Sequence, residues 1–269
     1  MILAGLLLAQ HFITPGPIIL TTPAPISERA TLDKGLQDAQ AHARALGGSL
    51  GVAVADVTTG VQASLNDEDS FPMAGVQKLA VAVLVYRAID AAELQSDQSV
   101  ETLISRMLLD DDDAATGTLI GMLHGSDAID TQLHGLHLDG LFVEPQDAGH
   151  ATPFALLTLL REINGGSLLR AQSNAALLGM LAGVQTSPGR LRAGLPARAR
   201  LEHETGTTST AGGAGDATDD VGIAEIPGHT LLIVALLRGA HGTQAERDAV
   251  IADVARAAVA GATIAPNAP

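Results

Sequence analysis

Strand-forming sequence lies near both ends of this 269-residue chain, and helix-forming sequence lies between. Ser49–Val57 is an alternating, β-branched run, Thr58-Thr59-Gly60 reads as a turn, and Val61–Leu65 reads as a second strand. Strand patterns return at Arg200–Glu204, Asp219–Glu225 and Thr230–Leu237. From Gly75 to about Val184 the apolar residues instead recur at i, i+3 and i+4. Leu79–Ile89, Val100–Leu109, Ala114–Leu123, Pro153–Ile163 and Leu168–Leu181 carry this spacing, with breaks at Gly125, Asp139-Gly140, Gly165-Gly166 and Ser187-Pro188-Gly189. Thr31–Leu46 is a helix stopped by Gly47-Gly48, and Ala245–Ala260 is a closing helix.

This order predicts an α/β (α+β) chain: an antiparallel five-stranded sheet flanked by terminal helices, with an inserted all-helical subdomain. The expected division is a leader and linker over 1–29, a sheet subdomain from 30–74 with 185–265, and a helical subdomain over 75–184. The two halves of the sheet have to meet in space. Gly75 and the segment 204–207 are therefore expected at one seam.

Composition narrows the function classes. Hydrophobic residues make up 46% and charged residues 17%, which suits a folded core rather than a disordered chain. Aromatics are 2%, so the core has to be built from Ala, Leu, Val and Ile. The formal charge of −15 argues against a nucleic-acid partner and against docking on anionic lipid. Without cysteine there is no disulfide, thiolate metal site or cysteine nucleophile. Ile2–Ala9 is apolar but far short of the roughly 20 residues of a membrane span, and a Pro-rich stretch from Pro15 to Pro25 follows. It reads as an atypical export signal, with no basic residue ahead of it and no A-x-A site. The expectation is a periplasmic or secreted monomer.

The stretch Phe71-Pro72-Met73-Ala74-Gly75-Val76-Gln77-Lys78 resembles the F-P-M-x-S-x-x-K nucleophile turn of class A serine β-lactamases. Other blocks follow in that family's order. Gly47–Asp56 resembles its first strand, Gly189-Arg190-Leu191-Arg192-Ala193-Gly194-Leu195-Pro196 its R-[IL]-R-A-G-L-P segment, Thr218–Ile223 its T-N-D-V-G-I strand, and Ala245–Ala252 its last helix. Together they cover most of residues 32–260.

The resemblance implies three catalytic motifs, S-x-x-K, S-D-N and K-T-G, and each is altered. Gly75 stands at the nucleophile position, while Lys78 is retained. Asp111-Asp112-Asp113 replaces S-D-N, keeping only the middle aspartate. Glu204-Thr205-Gly206-Thr207 replaces K-T-G-[TA], reversing the charge of its first residue. Glu144-Pro145 resembles the start of the deacylating E-P-x-L-N loop, but Gln146–His150 does not continue it. By the same resemblance Asp112, Thr205, Gly206, Thr207 and Arg192 fall at substrate-binding positions.

Each position also has a plainer reading. Asp110–Asp113 suits an acidic helix N-terminus, Glu204 a solvent-facing strand residue, Glu144 an exposed loop carboxylate, and Arg190 and Arg192 surface ion pairs. If the fold is kept, Lys78, Asp111, Asp113 and Glu204 line one cleft, one cation against three carboxylates. Such a cleft wants a clamped lysine, a retained proton or a bound cation. No metal or cofactor is assigned to it; its expected partner is a small molecule near Lys78. The expectation is a catalytically impaired or inactive homologue, a pseudoenzyme. The alternatives are hydrolysis of a β-lactam by an unconventional route, with Glu144 or an Asp activating water, an acidic-cleft ligand- or cation-binding protein, and a non-functional relic.

Overall fold

The structure is a computed structural model and describes residues 26–145, 149–208 and 216–263. The chain opens with α1 (Ile26–Ala45), β1 (Ser49–Asp56), β2 (Gln62–Leu65) and β3 (Phe71–Pro72), then a 3₁₀ turn at Ala74–Val76. The helical stretch holds α2 (Gln77–Asp90), α3 (Gln98–Leu109), α4 (Asp113–Met122) and α5 (Ser126–Gly135), then β4 (Leu141–Phe142), β5 (His150–Ala151), α6 (Pro153–Gly165) and α7 (Ala171–Gly183). It closes with α8 (Leu191–Gly194), β6 (Arg200–Thr208), β7 (Ala217–Ile226), β8 (His229–Arg238) and α9 (Gln244–Ala262).

The five-stranded sheet has the order β2-β1-β8-β7-β6, and all its pairings are antiparallel. β8 is the strand that joins the two ends of the chain, pairing with β1 along Ser49↔Arg238 to Asp56↔Leu231. Its side chains alternate as a strand buried on both faces must. Leu232, Val234 and Leu236 join the core shared with the central helices, while Leu231, Ile233, Ala235 and Leu237 pack under α1 and α9.

Small residues make the tight packing between helices, as the scarcity of aromatics requires. α1 and α9 approach so closely that a Cβ at Gly35 would stand 2.5 Å from the Ala257 Cβ. α2 runs through the middle of the molecule, with Leu79 to Tyr86 all buried. That burial explains why its sequence is apolar all round rather than striped.

The structure differs from the sequence expectation in four places. α1 begins at Ile26, inside the expected linker, and the rest of the proposed leader, 1–25, lies outside the described residues. α5 occupies a stretch read only as the break at Gly125; just two of its residues, Ile129 and Leu133, are buried, too few to show a period. β6 runs on to Thr208 through Gly206, whose missing side chain hides the strand pattern. A small second sheet, β3-β5-β4, also escaped notice, because two-residue strands carry no periodicity.

Candidate functional site

The seam expected from the sequence exists: the 3₁₀ turn at Ala74–Val76 lies against β6. Ala74 takes a left-handed conformation, φ 45°, and all three turn residues are buried. The preceding Met73 N–H donates to the Gly149 carbonyl at 2.9 Å, tying the turn to the segment before β5.

At Gly75 the structure leaves little room. A Cβ on Gly75 would stand 2.8 Å from the Thr205 carbonyl oxygen and 3.4 Å from the Gly206 Cα. A Cβ on Gly206 would stand 2.7 Å from the Gly75 nitrogen and 2.7 Å from the Met73 carbonyl oxygen. Two glycines thus let a strand and a turn touch backbone to backbone.

Lys78, one helical turn further, is fully buried, and its Nζ donates to Asp111 and, at 2.9 Å, to the Asp113 carboxylate. Those two carboxylates stand at the surface, with side chains 61% and 70% exposed. Asp111 is itself left-handed, φ 54°, in the turn that leads into α4.

Asp112, between them, does something different. Its Oδ1 accepts from the Ala114 and Ala115 amides at 2.9 and 3.0 Å, capping α4, and its Oδ2 accepts from Arg106 Nε at 2.9 Å. The Ala115 amide and the Arg106 guanidinium hold its carboxyl below the ordinary value of 3.8. The acidic-cap reading therefore holds for Asp112.

Glu204 is 2% exposed, which overturns the solvent-facing alternative. It shares the face of β6 that carries Gly206 toward the turn, and its Oε2 has no hydrogen-bond partner among the described residues. Burial pushes its carboxyl well above the ordinary 4.5; Lys78 pulls it down and Asp111 pushes it up. His203 faces the opposite side, 2.8 Å from Asp220. Burial lowers the imidazole, but the Asp220 charge and hydrogen bond outweigh it and leave the group above 6.5.

Behind the site, Arg190 is the arginine that matters to β6. It is 1% exposed and donates to the Gly206 and Asp219 carbonyls, both at 2.8 Å, to Asp248 Oδ1 at 2.8 Å, and to Thr207. A surface ion pair is the wrong description of it. Arg192 turns away and donates to the Ala199 carbonyl at 2.8 Å. Thr205 shares a hydrogen bond with Thr186 at 2.8 Å, so its hydroxyl is engaged with the end of the helical stretch.

Glu144 is exposed, and its backbone makes the useful contact: its N–H and carbonyl bind the Gln77 side-chain amide at 3.0 and 2.9 Å. The sequence gives no signal for this role, because a glutamine inside a helical run has no distinctive chemistry. Most of the unmatched loop residues, 146–148, lie outside the described residues. Among the described residues, no group of three or more His, Asp or Glu is arranged to hold a metal ion.

A five-stranded antiparallel sheet with terminal helices on one face and helices on the other is the β-lactamase fold. Residues 32–102 and 96–262 match the β-lactamase enzyme family, and the chain belongs to that family. Its relatives include β-lactamase VEB-1 of Pseudomonas aeruginosa, 23% identical over 77% of this chain and 83% of that protein. The extended-spectrum β-lactamase PER-1 of the same organism is 24% identical over 72% of this chain and 76% of that one. Among solved structures, a β-lactamase from Chitinophaga pinensis DSM 2588 superposes with a TM-score of 0.78 at 27% identity, covering 83% of this chain and 97% of the other. The class A β-lactamase of the last common ancestor of Gram-negative bacteria gives 0.75 at 26% identity, over 86% and 98%. No helix among the described residues is long and apolar enough to cross a membrane.

Proposed function

We propose that this chain is a β-lactamase-family protein without acyl-transfer chemistry, a pseudoenzyme that uses the inherited cleft to bind rather than to react. The observation that carries this reading is Gly75. Acyl transfer needs a nucleophilic atom beside a base, and Gly75 has none, while the Thr205 carbonyl occupies the approach a side chain would need. Ser70 cannot substitute, since it sits exposed ahead of β3. Losing a nucleophile removes on the order of 10⁶ in rate in a serine protease.

The rest of the site supports the same reading. The position where K-T-G places a cation holds a buried carboxylate, Glu204, and Lys78 is taken up by Asp111 and Asp113. A β-lactam carboxylate entering here meets negative charge.

Two measurements test the proposal: nitrocefin turnover, and intact mass after incubation with benzylpenicillin. The expected result is turnover at the level of buffer and an unmodified mass. Catalytic turnover, or a stable adduct on any Ser or Thr, overturns it. Expression in a susceptible host is expected to leave β-lactam susceptibility unchanged. The export reading of Ile2–Ala9 is checked separately, by N-terminal sequencing of the protein recovered from cell fractions.

A further inference from the structure

Loss of chemistry explains Gly75 but not why the cleft gained carboxylates. Glu204 is 2% exposed, with an Oε2 that no described residue satisfies. A buried carboxyl oxygen without a donor is costly, and a donor from outside the chain is one way such an atom is satisfied. It faces Lys78 of α2 and Asp111 ahead of α4, with Asp220 of β7 also acting on it. Asp111 and Asp113 stand above it at the surface, 61% and 70% exposed. A Cβ at Gly75 would lie 2.8 Å from the Thr205 carbonyl oxygen and 3.5 Å from Asp111 Oδ1, so oxygen acceptors from β6 and from the turn before α4 lie close together beside the closed contact at Gly75.

We infer that the cleft of Lys78, Asp111, Asp113 and Glu204 binds a small organic cation, through a primary ammonium or guanidinium group. Ionised carboxylates only accept hydrogen bonds, and such a group only donates them. The bonds formed are charge-assisted and short, the stronger kind. The exposed aspartates draw the cation in, and Glu204 beneath them receives its N–H. Burial favours the protonated form of Glu204, and a cation bound beside it favours the ionised one. A divalent metal fits less well, because the Lys78 ammonium already lies between Asp111 and Asp113.

The test is calorimetric titration of the full chain with propylammonium chloride, with sodium propionate and calcium chloride as comparison probes. Saturable binding of propylammonium and none of propionate is expected. Glu204→Gln and Asp113→Asn are each expected to weaken it about tenfold, the loss of one charge-assisted hydrogen bond. A thermal melt checks that both variants are folded. Absence of saturation, undiminished binding in both variants, or saturation by calcium but not by propylammonium overturns the inference. No β-lactam enters the titration, so its outcome and that of the nitrocefin assay are read independently.

Discussion

Gly206 lies flush against Gly75, so close that a Cβ on either would stand within 2.8 Å of backbone from the opposite segment. Real Cβ atoms do not approach backbone this closely without a shift. The contact joins the β6 edge of the sheet to the start of α2, and it has consequences for any serine placed at position 75.

Gly75→Ser alone is expected to destabilise rather than to activate. Forcing atoms into a closed contact costs about 1–3 kcal/mol, and in a chain of this size each kcal/mol is roughly 2–4 °C in Tm. Nitrocefin turnover should stay at background. A thermal melt and an activity assay on the purified variant decide it. Activity without loss of stability would mean that β6 is free to move away.

Stability is expected to fall as pH rises from mildly acid to alkaline. Glu204 and Asp219 are held well above their ordinary values of 4.5 and 3.8, chiefly by burial. His203 is held above 6.5, because Asp220 outweighs burial. In all three the folded protein keeps the proton more firmly than the unfolded chain. The stability they contribute is complete below those ordinary values and is lost as pH climbs through the folded ones. Urea midpoints taken at about pH 5 and about pH 8 should show the lower midpoint at the higher pH.

Glu204→Gln isolates one part of that slope. Glutamine keeps the shape and cannot ionise, so the variant is expected to be more stable than the wild type above neutrality. The gain should shrink toward acid, where Glu204 is already protonated. Equal gains at both pH values would show that ionisation of Glu204 is not the source.

Arg190→Met is expected to be severely destabilising, by about 3–5 kcal/mol, the penalty for leaving a buried charge uncompensated. Arg190 pairs with the Asp248 carboxylate at 2.8 Å, and its guanidinium holds the carbonyls of Gly206 and Asp219 together; its charge also opposes the burial that raises the Asp219 carboxyl. Arg190→Lys should rescue little, since an ammonium cannot reproduce the planar fork. Chemical denaturation reads both variants.

Thr243→Ala should cost about 1 kcal/mol. Thr243 and Glu246 form a reciprocal cap at the start of α9, with the Glu246 amide 3.3 Å from the Thr243 hydroxyl and the Thr243 amide 2.7 Å from the Glu246 carboxylate. α9 closes the face of the sheet with α1, so the loss is read as a lower midpoint in a cooperative melt.

The sequence by itself determined the broad architecture and the residues that depart from the three motifs. Period-2 runs at both ends and helical spacing between them are local patterns, set by which side chains face a core. A missing hydroxyl at Gly75 is likewise visible without coordinates. Local signal failed where it was short or silent: the two-residue strands, the weakly buried α5, and the part of β6 masked by Gly206.

Tertiary structure alone decided how the altered residues stand to one another. Only the fold shows Asp112 engaged as a helix cap while its neighbours hold Lys78. Only the fold separates Arg190, buried against β6, from Arg192 two residues on. And the closure over Gly75, with the burial of Glu204, depends on a strand more than a hundred residues away coming to rest against the turn. Burial and contact are properties of segments brought together from far along the chain, and no local pattern encodes them.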